Sequence, residues 1–175
     1  PYDLIGDIHG QAKELRALLE KLGYRESDGI YSHPERQVIF LGDFIDRGAY
    51  QREVLEIARP MIDAGHALAV MGNHEYNAIG YATQGGNGEY LGGHGAKNRG
   101  QHEAFLEAFQ ESPDEWYEVI EWFKTLPLWL DLEGLRVVHA TWDEGMAERL
   151  HEREGDNRMS DSLLHAAGDR TTPEF

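Results

Sequence analysis

Four short apolar runs, separated by segments with helical periodicity, constrain most strongly how this chain can fold. The run VIFL, residues 38–41, is apolar at every position, which is typical of a strand covered on both faces of a sheet. Similar runs precede Gly6, Gly72 and His139. Because such runs alternate with helical patterns such as residues 50–64, we predict an α/β fold: a layered α/β/α sandwich with a mostly parallel or mixed sheet.

The chain is expected to form one domain, because its 175 residues suffice for a single hydrophobic core. Residues 80–100 break the alternation of strand and helix, since they contain eight glycines. We interpret residues 82–100 as a glycine-rich insertion. A flexible surface loop is favoured over a lid that contacts substrate, and both interpretations stay open at this point.

The composition excludes several kinds of chemistry. Cysteine is absent, which rules out thiolate catalysis, disulfides and cysteine-based zinc sites and fits a cytoplasmic protein. The formal net charge of −16 repels a nucleic-acid backbone, so binding to one is not expected. The sequence has no apolar run of membrane-spanning length, so no membrane partner is expected. The oligomeric state cannot be predicted from these features.

Polar side chains follow each apolar run. In open α/β sheets, ligands bind in the crevice outside the carboxyl ends of the strands. If the four strands lie side by side and parallel, five side chains converge there: Asp7, His9, Asp43, Asn73 and His139. Their carboxylate, imidazole and amide atoms suit manganese, iron or zinc better than calcium. Taken singly, each motif could be an ordinary turn and His139 a core histidine, but independent turns would not all share this pattern.

The motifs GDIHG, GDFIDRG and GNHE occur in this order, and as a set they resemble the signature of the calcineurin-like metallophosphoesterases. The resemblance is greatest to the branch that contains the serine/threonine phosphoprotein phosphatases and the bacterial diadenosine-tetraphosphate hydrolases. It covers residues 2 to about 145. It implies hydrolysis of phosphate esters by attack of a metal-bridging hydroxide. Phosphomonoesters, phosphoproteins and dinucleoside polyphosphates all remain possible substrates.

The resemblance also implies a two-metal site at the carboxyl ends of the strands. By motif position, Asp7 and His9 would bind one divalent ion and Asp43 would bridge both. Asn73 and His139 would belong to the second ion. The expected metals are manganese, iron or zinc.

Three further roles follow from the same resemblance. His74 would be the general acid for the leaving oxygen and would contact substrate together with Asn73. Asp46 would orient His74. Arg47 would bind phosphate oxygens with its planar guanidinium, which suits bidentate recognition.

Two departures from the family pattern define the alternative hypothesis. The fourth motif reads His139-Ala140-Thr141 where the family branch usually has His-Gly-Gly. No later histidine resembles the family's last metal ligand, so we expect the chain to be incomplete at its C-terminus. The alternative function is a catalytically impaired or truncated relative that binds metal or phosphate.

The remaining histidines before His139 have no recognisable partner pattern, and we predict exposed or locally hydrogen-bonded roles for them. They are His33, His66, His94 and His102.

Overall fold

The computed structural model describes residues 1–86 and 88–168. The strands in chain order are β1 (Tyr2–Ile5), β2 (Arg25–Ser27), β3 (Ile30–Ser32), β4 (Gln37–Phe40), β5 (Ala67–Ala69), β6 (Trp129–Leu132) and β7 (Leu135–Val138). The helices are α1 (Ala12–Leu22), α2 (Gln51–Asp63), α3 (Asn73–Ala82), α4 (Ala96–Gln101), α5 (Glu103–Phe109), α6 (Pro113–Lys124), α7 (Glu144–Glu154) and α8 (Asp161–Gly168).

The central sheet is parallel, with the strand order β1-β4-β5. Ile39 of β4 lies opposite Leu4 of β1 on one side and Leu68 of β5 on the other. The strands alternate with α1 and α2, as parallel connections require. The predicted α/β class with a parallel sheet is therefore confirmed.

The fourth apolar run does not lie beside the other three. Strand β7 pairs antiparallel with β6 in a separate hairpin, so the arrangement of four parallel neighbours was wrong. The hairpin forms because Gly134, at φ 74°, allows a tight turn between the two strands. His139 nevertheless reaches the edge of the parallel sheet, because the hairpin packs against the face of that sheet.

The sheet has a core on each face. Val38 and Phe40 point toward the main core, which also includes buried side chains of α1 and α2. Ile39 points the other way and packs with Val70 and with Val137 of β7. This alternation explains why β4 is apolar at successive positions.

The glycine-rich insertion contains short ordered pieces. Gln84 and Tyr90 form an isolated antiparallel bridge, and α4 follows. The ring of His94 stacks between those of Tyr81 and Tyr90, with centroid distances of 3.9 and 4.0 Å. The assignment of residues 82–100 as a flexible surface loop stays a prediction.

None of the helices that the structure describes is long and apolar enough to cross a membrane.

Gly42 lies where the ends of β4 and β5 approach each other. Its φ of 88° is in the left-handed region, and a Cβ atom at this position would clash with the backbone nitrogen of Gly72. Real Cβ atoms do not approach backbone atoms this closely, so only glycine fits. The contact holds together the two loops that carry Asp43 and Asn73.

Gly42→Ala is therefore expected to lower the free energy of unfolding by more than about 3 kcal/mol, from backbone strain and the clash together. Gly29→Ala is the matched control, because Gly29 has a φ of 81° but a Cβ atom added to it would have no heavy atom within 4 Å. It should cost only about 1 kcal/mol. Urea unfolding of both variants measures the difference, and equal losses would show that the contact with Gly72 does not matter.

Candidate active site

Backbone hydrogen bonds join the loops that follow β1 and β4. The N–H groups of Ile8 and His9 donate to the carbonyl oxygen of Asp43 at 3.0 and 2.9 Å, and the N–H of Gly10 donates to Phe44 at 2.9 Å. These bonds bring the first two motifs of the sequence side by side. They also fix the backbone that carries their polar side chains.

Four non-glycine residues of these loops have left-handed backbone conformations. Their φ angles are 46° at His9, 54° at Asp43, 72° at Asp46 and 65° at Arg47. Such conformations cost free energy, and they persist only where the surrounding contacts impose them. Their concentration in two loops is typical of a functional site.

The five predicted ligand residues lie together. His9 Nε2 is 3.8 Å from Asp7 Oδ2 and 3.7 Å from Asp43 Oδ2. His139 Nε2 is 3.5 Å from Asp43 Oδ2 and 3.0 Å from Asn73 Oδ1. Asp43 is buried at the centre of the group, whereas Asp7 and Asn73 are exposed at its edge.

Asp43 belongs to two clusters of potential metal ligands. One cluster contains His9, Asp43 and His74, and the other contains Asp7, Asp43 and His139. Within each cluster the ligand atoms lie within 4.8 Å of one another. A carboxylate shared by two such clusters can bridge two cations.

The tautomers of two histidines direct their Nε2 atoms toward Asp43. His9 Nδ1 donates to the carbonyl of Ile45 at 2.8 Å, and His139 Nδ1 donates to the carbonyl of Leu41 at 2.6 Å. In a neutral imidazole, Nε2 then carries a lone pair, as a metal ligand must.

The donor atoms fit divalent cations. His9 Nε2 is buried and has no hydrogen-bond partner among the residues that the structure describes. His139 Nε2 and Asn73 Oδ1 lie 3.0 Å apart. When Nδ1 of His139 carries the ring proton and donates it to Leu41, Nε2 and Oδ1 can bind one cation together. Buried polar atoms without partners are rare and require an explanation of this kind.

Asp46 and His74 form a buried pair. His74 Nδ1 donates to Asp46 Oδ2 at 2.6 Å, and the His74 backbone N–H donates to Asp43 Oδ1 at 3.0 Å. These contacts leave His74 Nε2 on the side of Asp43, 3.9 Å from its Oδ2. The imidazole is thus held in one orientation next to the candidate metal ligands.

Asp46 also binds His102, a residue that sequence reasoning did not identify. His102 is buried, and its Nδ1 donates to Asp46 Oδ2 at 2.8 Å. The prediction of an exposed or locally bonded His102 was therefore wrong. His102 lies at the junction of α4 and α5, outside every motif, so no sequence signal placed it near Asp46.

Within the described ranges, the other histidines without predicted partners do not contact the candidate site. His33 Nδ1 accepts from the N–H groups of Glu35 and Arg36, and His94 Nε2 bonds the carbonyl of Tyr81. The prediction of exposed or locally hydrogen-bonded roles is confirmed for both residues, since the bonds of His33 are local and His94 is exposed. His66 is partly exposed.

Arg47 extends to the surface beside the buried pair of Asp46 and His74. It is exposed, and its guanidinium has no carboxylate partner in the part of the chain that the structure describes. The acids that could have braced it have other partners, because Asp46 bonds two histidines and Glu75 bonds backbone N–H groups. Arg47 is therefore available to an anion.

Glu75 is a second residue whose role sequence reasoning did not identify, although it is part of the GNHE motif. It is fully buried and accepts hydrogen bonds from the N–H groups of Asp43, Phe44 and Gly72 at 2.8, 2.9 and 3.0 Å. Burial raises the pKa of Glu75 to about 7, although its bonds with the backbone oppose this shift. Its carboxyl group joins the loops after β4 and β5.

Comparisons with known proteins agree with this geometry. A family model described as calcineurin-like phosphoesterase matches residues 1–170. The asymmetrical bis(5′-nucleosyl)-tetraphosphatase PrpE of Oceanobacillus iheyensis is 32% identical over 139 residues, which is 79% of this chain and 54% of that protein. Its counterpart from Halalkalibacterium halodurans is 43% identical over 74 residues, which is 42% of this chain and 30% of that protein.

A solved structure has a similar fold. The cold-active protein-tyrosine phosphatase of a Shewanella species matches 99% of this chain and 56% of its own, with a TM-score of 0.58 and 22% identity. The chain thus spans about half the length of this protein and of the Oceanobacillus relative. It spans less than a third of the Halalkalibacterium relative.

Proposed function

The chain belongs to the calcineurin-like phosphoesterase family, and we propose that it hydrolyses phosphate esters or dinucleoside polyphosphates with the help of two divalent cations. The observation that carries the proposal is the position of Asp43 in both clusters of candidate ligands. By family motif position, Asp7 and His9 would serve one cation, and Asn73 and His139 would serve the other. Asp43 would serve both. The two clusters share Asp43 but group the remaining residues differently, since His9 lies with His74 and Asp7 lies with His139.

The cations, when bound, supply a nucleophile at neutral pH and positive charge near the phosphoryl oxygens. The protein's own residues bind and orient the substrate and move a proton. Arg47 binds phosphate oxygens in bidentate fashion, which its exposure and lack of a carboxylate partner allow. His74 protonates the leaving oxygen, and Asp46 keeps its ring in place through the 2.6 Å bond to Nδ1.

Dinucleoside tetraphosphates are the substrates that we propose first. The relative that is 32% identical over most of this chain carries the name of a bis(5′-nucleosyl)-tetraphosphatase. Phosphomonoesters and phosphoproteins present the same phosphate to the site and are alternative outcomes of a substrate screen. An impaired protein that only binds metal or phosphate is disfavoured, because His74 and the five ligand residues predicted from the motifs lie together.

Manganese is the cation that we propose first, because oxygen atoms of Asp7, Asp43 and Asn73 outnumber the nitrogen atoms of the two histidine ligands. We also propose a cytoplasmic location, which the absence of cysteine supports.

The bridging role of Asp43 is tested by metal content. The protein purified without chelator should bind close to two divalent ions, and Asp43→Asn should bind neither, because one carboxylate serves both positions. Asp63→Asn is the control, since Asp63 lies at the end of α2 and faces Arg59. Elemental analysis and the rate of tetraphosphate hydrolysis are measured together.

Two metals retained in Asp43→Asn would contradict the bridging assignment. Wild-type protein that binds two metals but hydrolyses no phosphate compound would instead support the alternative function, a relative that binds metal or phosphate without hydrolysis.

The role of Arg47 is tested by inhibition with inorganic phosphate. Arg47→Ala should lower kcat/KM by roughly a hundredfold and weaken phosphate inhibition. Arg47→Lys should also lose activity, because an ammonium group cannot form the bidentate contact. Neither variant should change the melting temperature or the metal content.

Arg52→Ala is the contrasting control, because Arg52 donates to the carbonyl of Ala108 and pairs with Glu115. Its loss should lower the melting temperature and leave phosphate inhibition unchanged. If the Arg47 variants also melt at a lower temperature with unchanged phosphate inhibition, Arg47 stabilises its loop and does not bind phosphate.

The role of His74 is tested with two leaving groups. His74→Ala should lower kcat for an alkyl phosphate by roughly a hundredfold or more, and far less for p-nitrophenyl phosphate, whose leaving group needs no proton. Metal content should stay near that of the wild type. Loss of metal, or equal losses for both substrates, would show that His74 is a ligand or a structural residue.

A further inference from the structure

We infer that His102 is a positioning residue for the phosphoester hydrolysis proposed above. It holds the carboxylate of Asp46, and that carboxylate in turn holds the ring of His74. The inference rests on the proposed function, since it assigns a part in the same reaction to a residue outside the sequence motifs.

The carboxylate of Asp46 depends on the two histidines for its hydrogen bonds. Its Oδ2 accepts from His74 Nδ1 at 2.6 Å and from His102 Nδ1 at 2.8 Å. Its Oδ1 is buried and has no hydrogen-bond partner among the described residues. A buried carboxylate is costly unless it is hydrogen-bonded, so these two N–H groups determine its orientation.

The backbone of Asp46 is fixed separately from its side chain. The N–H of Asp46 donates to Gln51 Oε1 at 2.8 Å, and Gln51 Nε2 donates to the carbonyl of Gly48 at 2.6 Å. Loss of His102 would therefore leave the loop in place. It would free the carboxylate to rotate about its own side-chain bonds with His74 as its single partner.

His102 is itself held by elements that follow the insertion. Its backbone N–H donates to the carbonyl of Asn98 at 3.2 Å, and its carbonyl accepts from Leu106 at 2.9 Å. Its ring contacts that of Tyr81 edge-on, with centroids 5.8 Å apart. The orientation of Asp46 is thus set from the α4–α5 junction as well as from the strand ends.

A positioning residue and a purely structural one predict different effects. Loss of a structural residue reduces the amount of folded enzyme and lowers the rates for all substrates equally. Loss of alignment between Asp46 and His74 weakens proton transfer alone, so it slows reactions that need a protonated leaving group. It leaves the metals in place, because His102 is outside both candidate ligand clusters.

The experiment compares three variants of His102 on an alkyl phosphate and on p-nitrophenyl phosphate. His102→Ala should lower kcat for the alkyl phosphate about tenfold and for the aryl phosphate less than about twofold, with KM and metal content unchanged. His102→Asn should restore much of the rate, because its amide nitrogen can occupy the place of Nδ1. His102→Gln should not, because its amide nitrogen lies near the place of Nε2.

His94→Ala is the matched control, since His94 lies in the same part of the chain but bonds Tyr81 and not Asp46. It should leave the ratio of the two rates unchanged. In a His74→Ala background, His102→Ala should cause no further loss on the alkyl phosphate, because residues acting through one another are not additive.

Three results would overturn the inference. They are equal losses on both substrates with a lower melting temperature, no loss in His102→Ala, and failure of all three variants to fold. A wild-type protein that binds metals but hydrolyses neither substrate would contradict the proposed function itself, which is a distinct outcome.

Discussion

The hydrogen-bonding environment of Asp43 is the constraint on which the site depends. Its carbonyl oxygen accepts from the loop after β1, and its N–H donates to Glu75. One carboxylate oxygen accepts from the His74 backbone, which leaves Oδ2 facing the imidazoles of His9, His74 and His139. One residue at the end of a central strand therefore connects three loops and presents one oxygen at the centre of the crevice.

The positions of the candidate ligands follow from local sequence, whereas the contacts that hold these residues in place do not. The meeting of Asp7, Asp43 and Asn73 could be predicted because parallel strands end at one edge of a sheet, and each residue follows an apolar run and one glycine. His139 was predicted at the correct place for a partly wrong reason, since its strand belongs to a hairpin on the face of the sheet. Periodicity identifies a strand but does not say which strand it pairs with.

The two residues that sequence reasoning missed contact residues that are distant from them in the sequence. His102 meets Asp46 across 56 positions, and Glu75 meets Asp43 across 32. Neither contact leaves a local pattern, because it depends on how α3 and the segment after it fold back over the loops. The sequence therefore predicts which polar atoms meet at the strand ends better than it predicts which contacts hold them there.

The left-handed conformations of His9, Asp43, Asp46 and Arg47 have a consequence for protein engineering. Each costs on the order of 1 kcal/mol or more relative to a relaxed backbone. Glycine or asparagine would lower this backbone cost at each of the four positions. Such a replacement would also alter a side chain of the candidate site, such as the carboxylate of Asp46 that bonds His74 and His102. Stability and the proposed activity therefore place opposite demands on these four residues, so a library intended to preserve the candidate site should keep them constant and vary positions elsewhere.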